Sequence, residues 1–498
     1  MKDLKESRRM IDEIDEQLIK LFEKRMETIS DVAAYKLENG MSVLDSKREE
    51  DVLNRNIARV SEKWQPYYRE FQESLFSVSR KYQKQLLDQN EPLLKDSSDY
   101  STYIDNAFLA SQRAKKDLLT YPETVDATVG TLYGRDNAIT AFKSVYEEYN
   151  RVSDKRKASY AGGIQGNEAF NKEVYHWINR LDNLNLPYRV VATPGGTGAI
   201  TLAVTNCLNP NEKILIPEIA WGSYRIMALQ HNEKVKTYKM FVDHEISIEG
   251  IKEASEKIMH EQHKLLVIIN DPCQNPTGIS LGKENWRELI AFYNELSKEG
   301  PIVILNDIAY LDYSYDYDNA TAYMSSFNAI SDNIAVIVAF SCSKSLTAYG
   351  MRLGAAVIMS KEEEKAERIY NAFLRTARAD WSNVNNGFMD AFVSLMQNNK
   401  EGYMAEKKTA VEDLQERAEL FLSQAKACDL PVYPYVEGFF VTLKIEDPDQ
   451  LSRFVDKCME NHIYGVRFNK GYRIAICSLS KEKLDGLAPR LKSILEQC

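Results

Sequence analysis

Residues 334–352 read IAVIVAFSCSKSLTAYGMR. The first seven, Ile334 to Phe340, are apolar and rich in β-branched side chains, the composition of a strand buried on both faces. Ser341, Cys342, Ser343, Lys344 and Ser345 follow directly, and Arg352 lies eight residues past the lysine. A lysine just past a strand end, flanked by hydroxyls, suits an amine that bonds a carbonyl cofactor as a Schiff base. Ser341, Ser343 and Arg352 would then hold that cofactor's phosphate.

Similar strand-like runs lie upstream: Lys213 to Pro217 (KILIP), Leu265 to Asn270 (LLVIIN) and Ile302 to Asn306 (IVILN). Helical patterns separate them. Strand and helix in alternation predict a parallel sheet covered on both faces. Polar residues cluster at the strand ends. Asp307, in Asp307-Ile308-Ala309-Tyr310, can pair with a protonated ring nitrogen, and Tyr310 can bond a ring oxygen. Asn275, in Asn275-Pro276-Thr277-Gly278, can reach the same oxygen. Gly195-Gly196-Thr197-Gly198 follows Val190 to Thr193 and should open a helix, whose amides bind phosphate. Open α/β sheets bind ligands at strand C-termini, where all four segments fall.

These segments resemble the fold-type-I aminotransferases of class I, in particular the aspartate and aromatic group. The resemblance covers most of residues 105–498. It implies pyridoxal 5'-phosphate as cofactor, with Lys344 as the Schiff-base lysine and proton shuttle. It implies that Asp307, Tyr310 and Asn275 tune the ring and that Trp221 stacks on it. Gly196, Thr197, Ser341, Ser343 and Arg352 would hold the phosphate, with Tyr160 reaching over from a partner subunit. Val129 and Gly130 match the segment that closes over the substrate. Arg473, in Tyr472-Arg473-Ile474-Ala475, matches the arginine that grips the α-carboxylate. Arg378 precedes Trp381-Ser382-Asn383 by three residues. That spacing matches the arginine that binds a distal carboxylate in the other subunit's site. The family usually continues with two prolines, where this chain has Val384-Asn385. Arg375 is the alternative to Arg378, and a solvated helix-end arginine is the bland reading of either.

The first 90 residues differ. They contain one proline and no strand-like run. Ile11, Ile14, Leu18, Leu21, Phe22, Ile29 and Val32 fall mostly at three- and four-residue spacing, which predicts a helix of about 30 residues. Gly40 should stop it, and Asp45 is placed to cap a second helix. Past Trp64-Gln65-Pro66, a third helix is expected from Tyr67 to Leu87. Arg25 and Lys36 are separated by about 20° around the first helix after whole turns, on the stripe of Leu18, Leu21 and Val32. Two cations on an apolar face call for an anion. Arg8 lies about 100° off that line and could join only from a partner helix.

This set resembles the all-helical chorismate mutases, whose fold is an intertwined dimer. The resemblance implies that Arg25 and a partner's Arg8 hold the substrate carboxylates, and that Lys36 and Gln83 donate to the ether oxygen. Glu49 and Arg48 would orient the hydroxyl, with Asp45 and Ser79 in support. The third helix is offset by one residue from the family pattern before Ser79. The rearrangement of chorismate to prephenate is unimolecular and needs no nucleophile, so a pocket of fixed cations suffices.

Composition agrees with two soluble enzymes. The 498 residues include 63 Lys and Arg against 73 Asp and Glu, a net charge of −10, and 44% are hydrophobic. An acidic chain is poorly suited to non-specific nucleic-acid binding. No apolar run approaches the ~18–20 residues of a membrane span. Seven scattered cysteines without a CxxC pair indicate a reducing, cytoplasmic setting, and six histidines at no ligand spacing leave no metal site. The expected organisation is an all-α three-helix domain over 1–88, a linker over 89–104 and an α/β aminotransferase domain over 105–498. Its small lobe would take the first part of that region and about 380–498. The expected function is bifunctional: chorismate to prephenate, then transamination of prephenate or an aromatic 2-oxo acid with glutamate or aspartate as donor, in a homodimer with shared sites. The alternatives are an aspartate aminotransferase with a regulatory or dimerising mutase-like domain, and, less favoured, a transcription regulator. The last would need a basic recognition helix, which the near-neutral N-terminal region lacks.

Overall fold

The computed structural model describes residues 3–38, 43, 45–86 and 105–498. The expected linker over 89–104 and the stop at Gly40 lie outside them. The chain divides into two compact units, Met1–Thr102 and Tyr103–Cys498.

The first unit has helices α1 (Leu4–Glu38), α2 (Ser46–Ile57) and α3 (Gln65–Leu86). Asp45 caps α2, its carboxylate accepting from the Arg48 amide at 2.9 Å. The third helix begins two residues earlier than expected. Pro66 sits in its first turn, where an amide would have no intrahelical partner anyway, so it does not break the helix. Ile29 and Ala33 of α1 are buried, as are Gln72, Ser79 and Gln83 of α3. The stripe carrying Ile11, Ile14, Leu18, Leu21, Phe22 and Val32 is exposed.

The second unit is built on seven strands: β1 (Tyr188–Thr193), β2 (Lys213–Pro217), β3 (Lys234–Tyr238), β4 (Leu265–Asn270), β5 (Ile302–Asp307), β6 (Ile334–Ser341) and β7 (Gly354–Ser360). Their order is β1-β7-β6-β5-β4-β2-β3. Every neighbouring pair is parallel except those of β7, which runs antiparallel to β1 and β6. A Cβ on Gly354, where β7 begins, would lie 2.4 Å from the Phe340 carbonyl, so glycine is required there. Side chains alternate between two cores. Ile337, Ala339, Ile268 and Leu305 pack with helix α4 (Gly195–Cys207), while Val336, Val338, Val267 and Ile304 pack on the opposite face.

A third core belongs to a smaller lobe around β8 (Phe440–Lys444), β9 (Val466–Phe468) and β10 (Gly471–Ala475), an antiparallel sheet ordered β8-β10-β9. Val125–Asp126 pairs in parallel with Ile463–Tyr464 as a separate two-stranded sheet of this lobe. The helix Asn386–Asn398 packs instead in the sheet core, with Phe392 5.4 Å from the Phe170 ring. The small-lobe core takes its first residues after this helix from Val411 onward.

Adjacent strand ends carry Asn270, Asp307 and Ser341, and β1 leads into α4. Ile337→Ala, at a fully buried site on β6, is expected to lower stability by about 2–5 kcal/mol. Chemical denaturation against the parent protein measures it, and a loss under ~1 kcal/mol would contradict this packing.

Candidate functional site

Ser341 ends β6 and caps the one-turn helix Cys342–Ser345, its Oγ accepting from the Ser343 amide at 3.3 Å. This turn aims Lys344 at the gap between the lobes. Its ammonium donates to the Gly130 carbonyl and lies 4.8 Å from the Tyr349 ring and 5.5 Å from the Tyr310 ring. Burial lowers its pKa to about 8, and the charges of Arg473 and Arg352 push the same way. The lysine can therefore lose its proton near neutral pH, which a nucleophilic amine needs.

Arg352 sits in the left-handed backbone region, with φ of 50°, an uncommon conformation for a non-glycine residue. Its Nη1 donates to Ser343 Oγ at 3.0 Å and to the Tyr349 carbonyl at 2.9 Å. Its Nη2 points at the Pro194 carbonyl, just before α4. Gly195 also has positive φ, and a Cβ there would lie 2.7 Å from Arg352 Nη2. A Cβ is already present at Ser341, 3.3 Å from where one on Gly196 would be. Ser341, Ser343, Arg352 and the amide end of α4 thus converge. Thr197 stands exposed on that first turn. Such a set of hydroxyls, amides and one guanidinium fits a phosphate.

Asp307 is buried at the end of β5. It accepts from the Tyr224 hydroxyl at 2.5 Å and from the Ala309 amide at 3.0 Å. Burial raises its pKa, and these two bonds pull it back. A buried carboxylate with such neutral donors suits a cationic ligand atom. Tyr310 is buried nearby, its hydroxyl pKa raised by burial and opposed by Arg473. Arg473 Nη1 donates to Asn275 Oδ1 at 3.0 Å and Nη2 to the Thr128 carbonyl at 2.6 Å. Its guanidinium stacks 4.2 Å from the Phe440 ring, and its Nε has no protein partner. Burial lowers its pKa. Trp221 is half-buried, edge-on to Tyr224 at 5.5 Å. Half-buried Val129 lies between Thr128 and Gly130, whose carbonyls accept from Arg473 and Lys344. A Cβ on Gly130 would lie 2.5 Å from Phe440 Cζ and 3.6 Å from the Lys344 amine, so a larger residue would have to displace the Phe440 ring.

Tyr224, Tyr349, Phe440 and Cys477 belong to this site and were not singled out from the sequence. Cys477 is buried beside Lys344 and Arg473, and burial pushes its thiol up to about 12. Tyr224 lies three residues past Trp221, and Tyr349 lies between Lys344 and Arg352, but chain position alone did not show that their side chains reach the site. Tyr160 and Arg378 make none of these contacts. Tyr160 is 82% exposed, on a loop held by Asn383 through Ala161 and Gly163. Arg378 is exposed and donates to Ser382 Oγ at 2.5 Å, and Arg375 is exposed as well.

In the first unit, Arg25 donates to Ser79 Oγ and to the Leu75 carbonyl at 3.5 Å, and burial lowers its pKa. Gln83 is buried beside them, its Nε2 3.4 Å from the Ser79 carbonyl and its Oε1 without a protein partner. Lys36 is half-buried and donates to the Val43 carbonyl. Glu49 is gripped by Arg80, both carboxylate oxygens accepting from one Nη. Arg80 adjoins Ser79 and was not singled out from the sequence. Arg48 is exposed, contributing its amide to the Asp45 cap, and Arg8 is exposed on α1. The structure thus brings Arg25, Ser79 and Gln83 together and leaves Arg8 and Arg48 outside that cluster. Among the described residues, no group of His, Cys, Asp or Glu is placed to hold a metal ion, and no helix is long and apolar enough to cross a membrane.

Residues 124–491 match the family described as aminotransferase class I and II, and residues 7–84 match chorismate mutase type II. An aspartate aminotransferase of Pseudomonas aeruginosa is 25% identical over 272 residues, 53% of this chain and 66% of that protein. The chain spans about half to two thirds the length of the curated relatives it matches. A crystal structure of an aminotransferase from Anaerococcus prevotii aligns with a TM-score of 0.78 and 31% identity, covering 81% of this chain and 99% of that one. The aromatic-amino-acid aminotransferase from Burkholderia pseudomallei, covalently bound to pyridoxal phosphate, shares the fold at a TM-score of 0.66 and 21% identity, over 81% and 100% of the two chains.

With its pKa lowered to about 8, folded Lys344 releases its proton before the unfolded chain does. The unfolded chain holds more protons between that value and ~10.4, so this group's contribution to stability rises with pH across that window. Arg473→Leu removes a neighbouring cation and is expected to raise the midpoint. The pH dependence of Lys344 acylation, read by peptide mass spectrometry, checks this. An unchanged or lower midpoint would contradict it.

Proposed function

The chain belongs to the class I and II aminotransferases, with a type II chorismate mutase domain at its N-terminal end, and from that premise we propose one enzyme with two consecutive activities. The first rearranges chorismate to prephenate. The second moves an amino group from glutamate or aspartate to prephenate, giving arogenate, with an aromatic 2-oxo acid as the other candidate acceptor. The observation that carries the transferase reading is Lys344 just past a strand end, its ammonium on the Gly130 carbonyl and its pKa lowered to about 8 by desolvation, with Arg473 and Arg352 pushing the same way.

Pyridoxal 5'-phosphate, when bound, supplies an electron sink that stabilises negative charge at the substrate Cα. Arg352, Ser341, Ser343 and the start of α4, with Gly196 and Thr197, would hold its phosphate. Asp307 would keep a proton on the ring nitrogen, with Tyr224 fixing the carboxylate. Tyr310 and Asn275 would bond the ring oxygen, and Trp221 would cover one face. Lys344 would hold the aldehyde carbon and then carry a proton from the substrate Cα. Arg473 would take the α-carboxylate in its fork, exchanging the Thr128 and Asn275 oxygens for the ligand's. Val129 and Gly130 would exclude water above it. Tyr160 and Arg378, exposed in one protomer, would serve a partner's site. Prephenate carries two carboxylates, so an arginine such as Arg378 gives it a second anchor.

In the helical domain, Arg25 would hold a substrate carboxylate, joined by Arg8 of a second protomer. Lys36 and Gln83 would donate to the ether oxygen as its bond breaks, with Ser79 positioning Arg25. Arg48 and Glu49 would orient the hydroxyl, and Asp45 would support the start of α2. The exposed apolar stripe of α1 supports a homodimer, since such a stripe needs cover. We place the protein in the cytoplasm.

Arg25→Ala and Lys36→Ala are each expected to reduce mutase turnover by on the order of 10²-fold. Unchanged turnover would favour a dimerising or sensing role for this domain. Lys344→Ala is expected to remove the visible absorbance that bound pyridoxal phosphate gives the parent protein, and a persisting band would sink the lysine's role. Supplying chorismate and glutamate to the purified protein should yield arogenate. If arogenate never forms while phenylpyruvate is aminated efficiently, prephenate is not the acceptor. Preference for oxaloacetate over both would favour the aspartate aminotransferase reading.

A further inference from the structure

Lys407 and Asp312 form an ion pair at 2.9 Å, with side chains only 2% and 1% exposed. It is a charge–charge contact outside hydrogen-bond geometry. The ammonium lies over the rings of Tyr317, Trp177 and Tyr403, at 4.3, 4.7 and 5.0 Å. Asp312 also accepts from Trp177 Nε1 at 3.1 Å. Arg180 is a second cation facing the pair, stacked on Tyr317 at 4.5 Å. A hydrophobic pair of the same volume is often as stable as a buried ion pair, so packing alone does not account for this one.

Its neighbours in the chain supply a reason. Asp312 lies on the turn Leu311–Tyr313, and the Tyr313 hydroxyl donates to the Lys344 carbonyl at 3.0 Å. Lys407 lies on the helix Lys400–Ala427, one turn past Tyr403, whose hydroxyl donates to the Ser345 carbonyl at 2.7 Å. Those carbonyls end the helix Cys342–Ser345; the Lys344 carbonyl also accepts from the Thr347 amide at 3.0 Å, so the Tyr313 hydroxyl adds a second, side-chain hold on the turn. The side chain of Ser345 borders Asp312 as well. The ion pair therefore ties together the two elements that grip the lysine turn from outside.

We infer that Asp312 and Lys407 are positioning residues for Lys344: their buried pairing locks the Tyr313 and Tyr403 hydroxyls onto the lysine turn and keeps the amine in its place beside the Gly130 carbonyl. The inference rests on the reading of Lys344 as the cofactor-holding lysine. The charged and titratable groups facing Lys344 are Arg352, Arg473, Cys477, Tyr310 and Tyr349. Those facing the pair are Arg180, Tyr313, Tyr317, Tyr403 and Cys342. Loosening the turn lets water reach the amine, which favours its charged form.

The test uses the full chain freed of cofactor, as wild type, Tyr403→Phe and Lys407→Met. Pyridoxal phosphate is added at a series of pH values, and its capture is followed by the rise of visible absorbance. The wild-type midpoint is expected near the lysine's value of about 8. Both variants are expected to shift it upward, Lys407→Met by roughly half a unit or more and Tyr403→Phe by less. Circular dichroism checks the fold. If Lys407→Met does not fold, Tyr403→Phe, which loses one hydroxyl, decides alone. Folded variants with an unchanged midpoint would show a purely structural pair and overturn the inference. A wild type that captures no cofactor at any pH would instead overturn the parent reading of Lys344, and the inference with it.

Discussion

Two arginines, Arg352 and Arg473, lie within electrostatic reach of Lys344 at the end of a mostly parallel sheet. Gathering like charges in one place is costly, and the three meet that cost differently. The lysine can give up its proton. The arginines cannot, so they are held by oxygens: Ser343 Oγ and the Tyr349 and Pro194 carbonyls for one, Asn275 Oδ1 and the Thr128 carbonyl for the other. These oxygens come from segments far apart in the chain. The fold must therefore bring the ends of β1, β4 and β6 to one edge and set the small lobe against them. Such a site has charge to spare for a phosphate and a carboxylate, which is the demand of amino-group transfer on an acidic substrate.

The helical unit meets a related demand with smaller means. Arg25 is half-buried against Ser79 and Leu75, and Gln83 keeps an unpartnered oxygen close by. No nucleophile or cofactor is needed where the reaction is a rearrangement within one molecule. A pocket of fixed donors on three helices is enough, whereas transamination requires the larger scaffold.

Much of the large unit was legible because buried parallel strands announce themselves. LLVIIN over 265–270, IVILN over 302–306 and IAVIVAF over 334–340 fit few other elements, and Lys344, Asp307 and Asn275 could be placed at or just past strand ends from them. The antiparallel insertion of β7 was not legible, since GAAVIMS says nothing about direction. Pro66 suggested a break where the first turn of α3 tolerates it. Glu49, expected to orient a hydroxyl with Arg48, is also gripped by Arg80, one residue past Ser79, a contact that spacing did not reveal. Tyr224 and Tyr349 reach the site through register and rotamer, which spacing does not encode. Residue types at strand ends survive translation from sequence to space, and pairwise contacts between side chains do not.

The central claim is that Lys344 is the amine around which the large site is organised. Borohydride reduction of the protein loaded with pyridoxal phosphate, followed by peptide mapping, tests it most directly. The account predicts a single pyridoxyl group per chain, on Lys344. A stoichiometric label on another lysine, or no label despite bound cofactor, would contradict it.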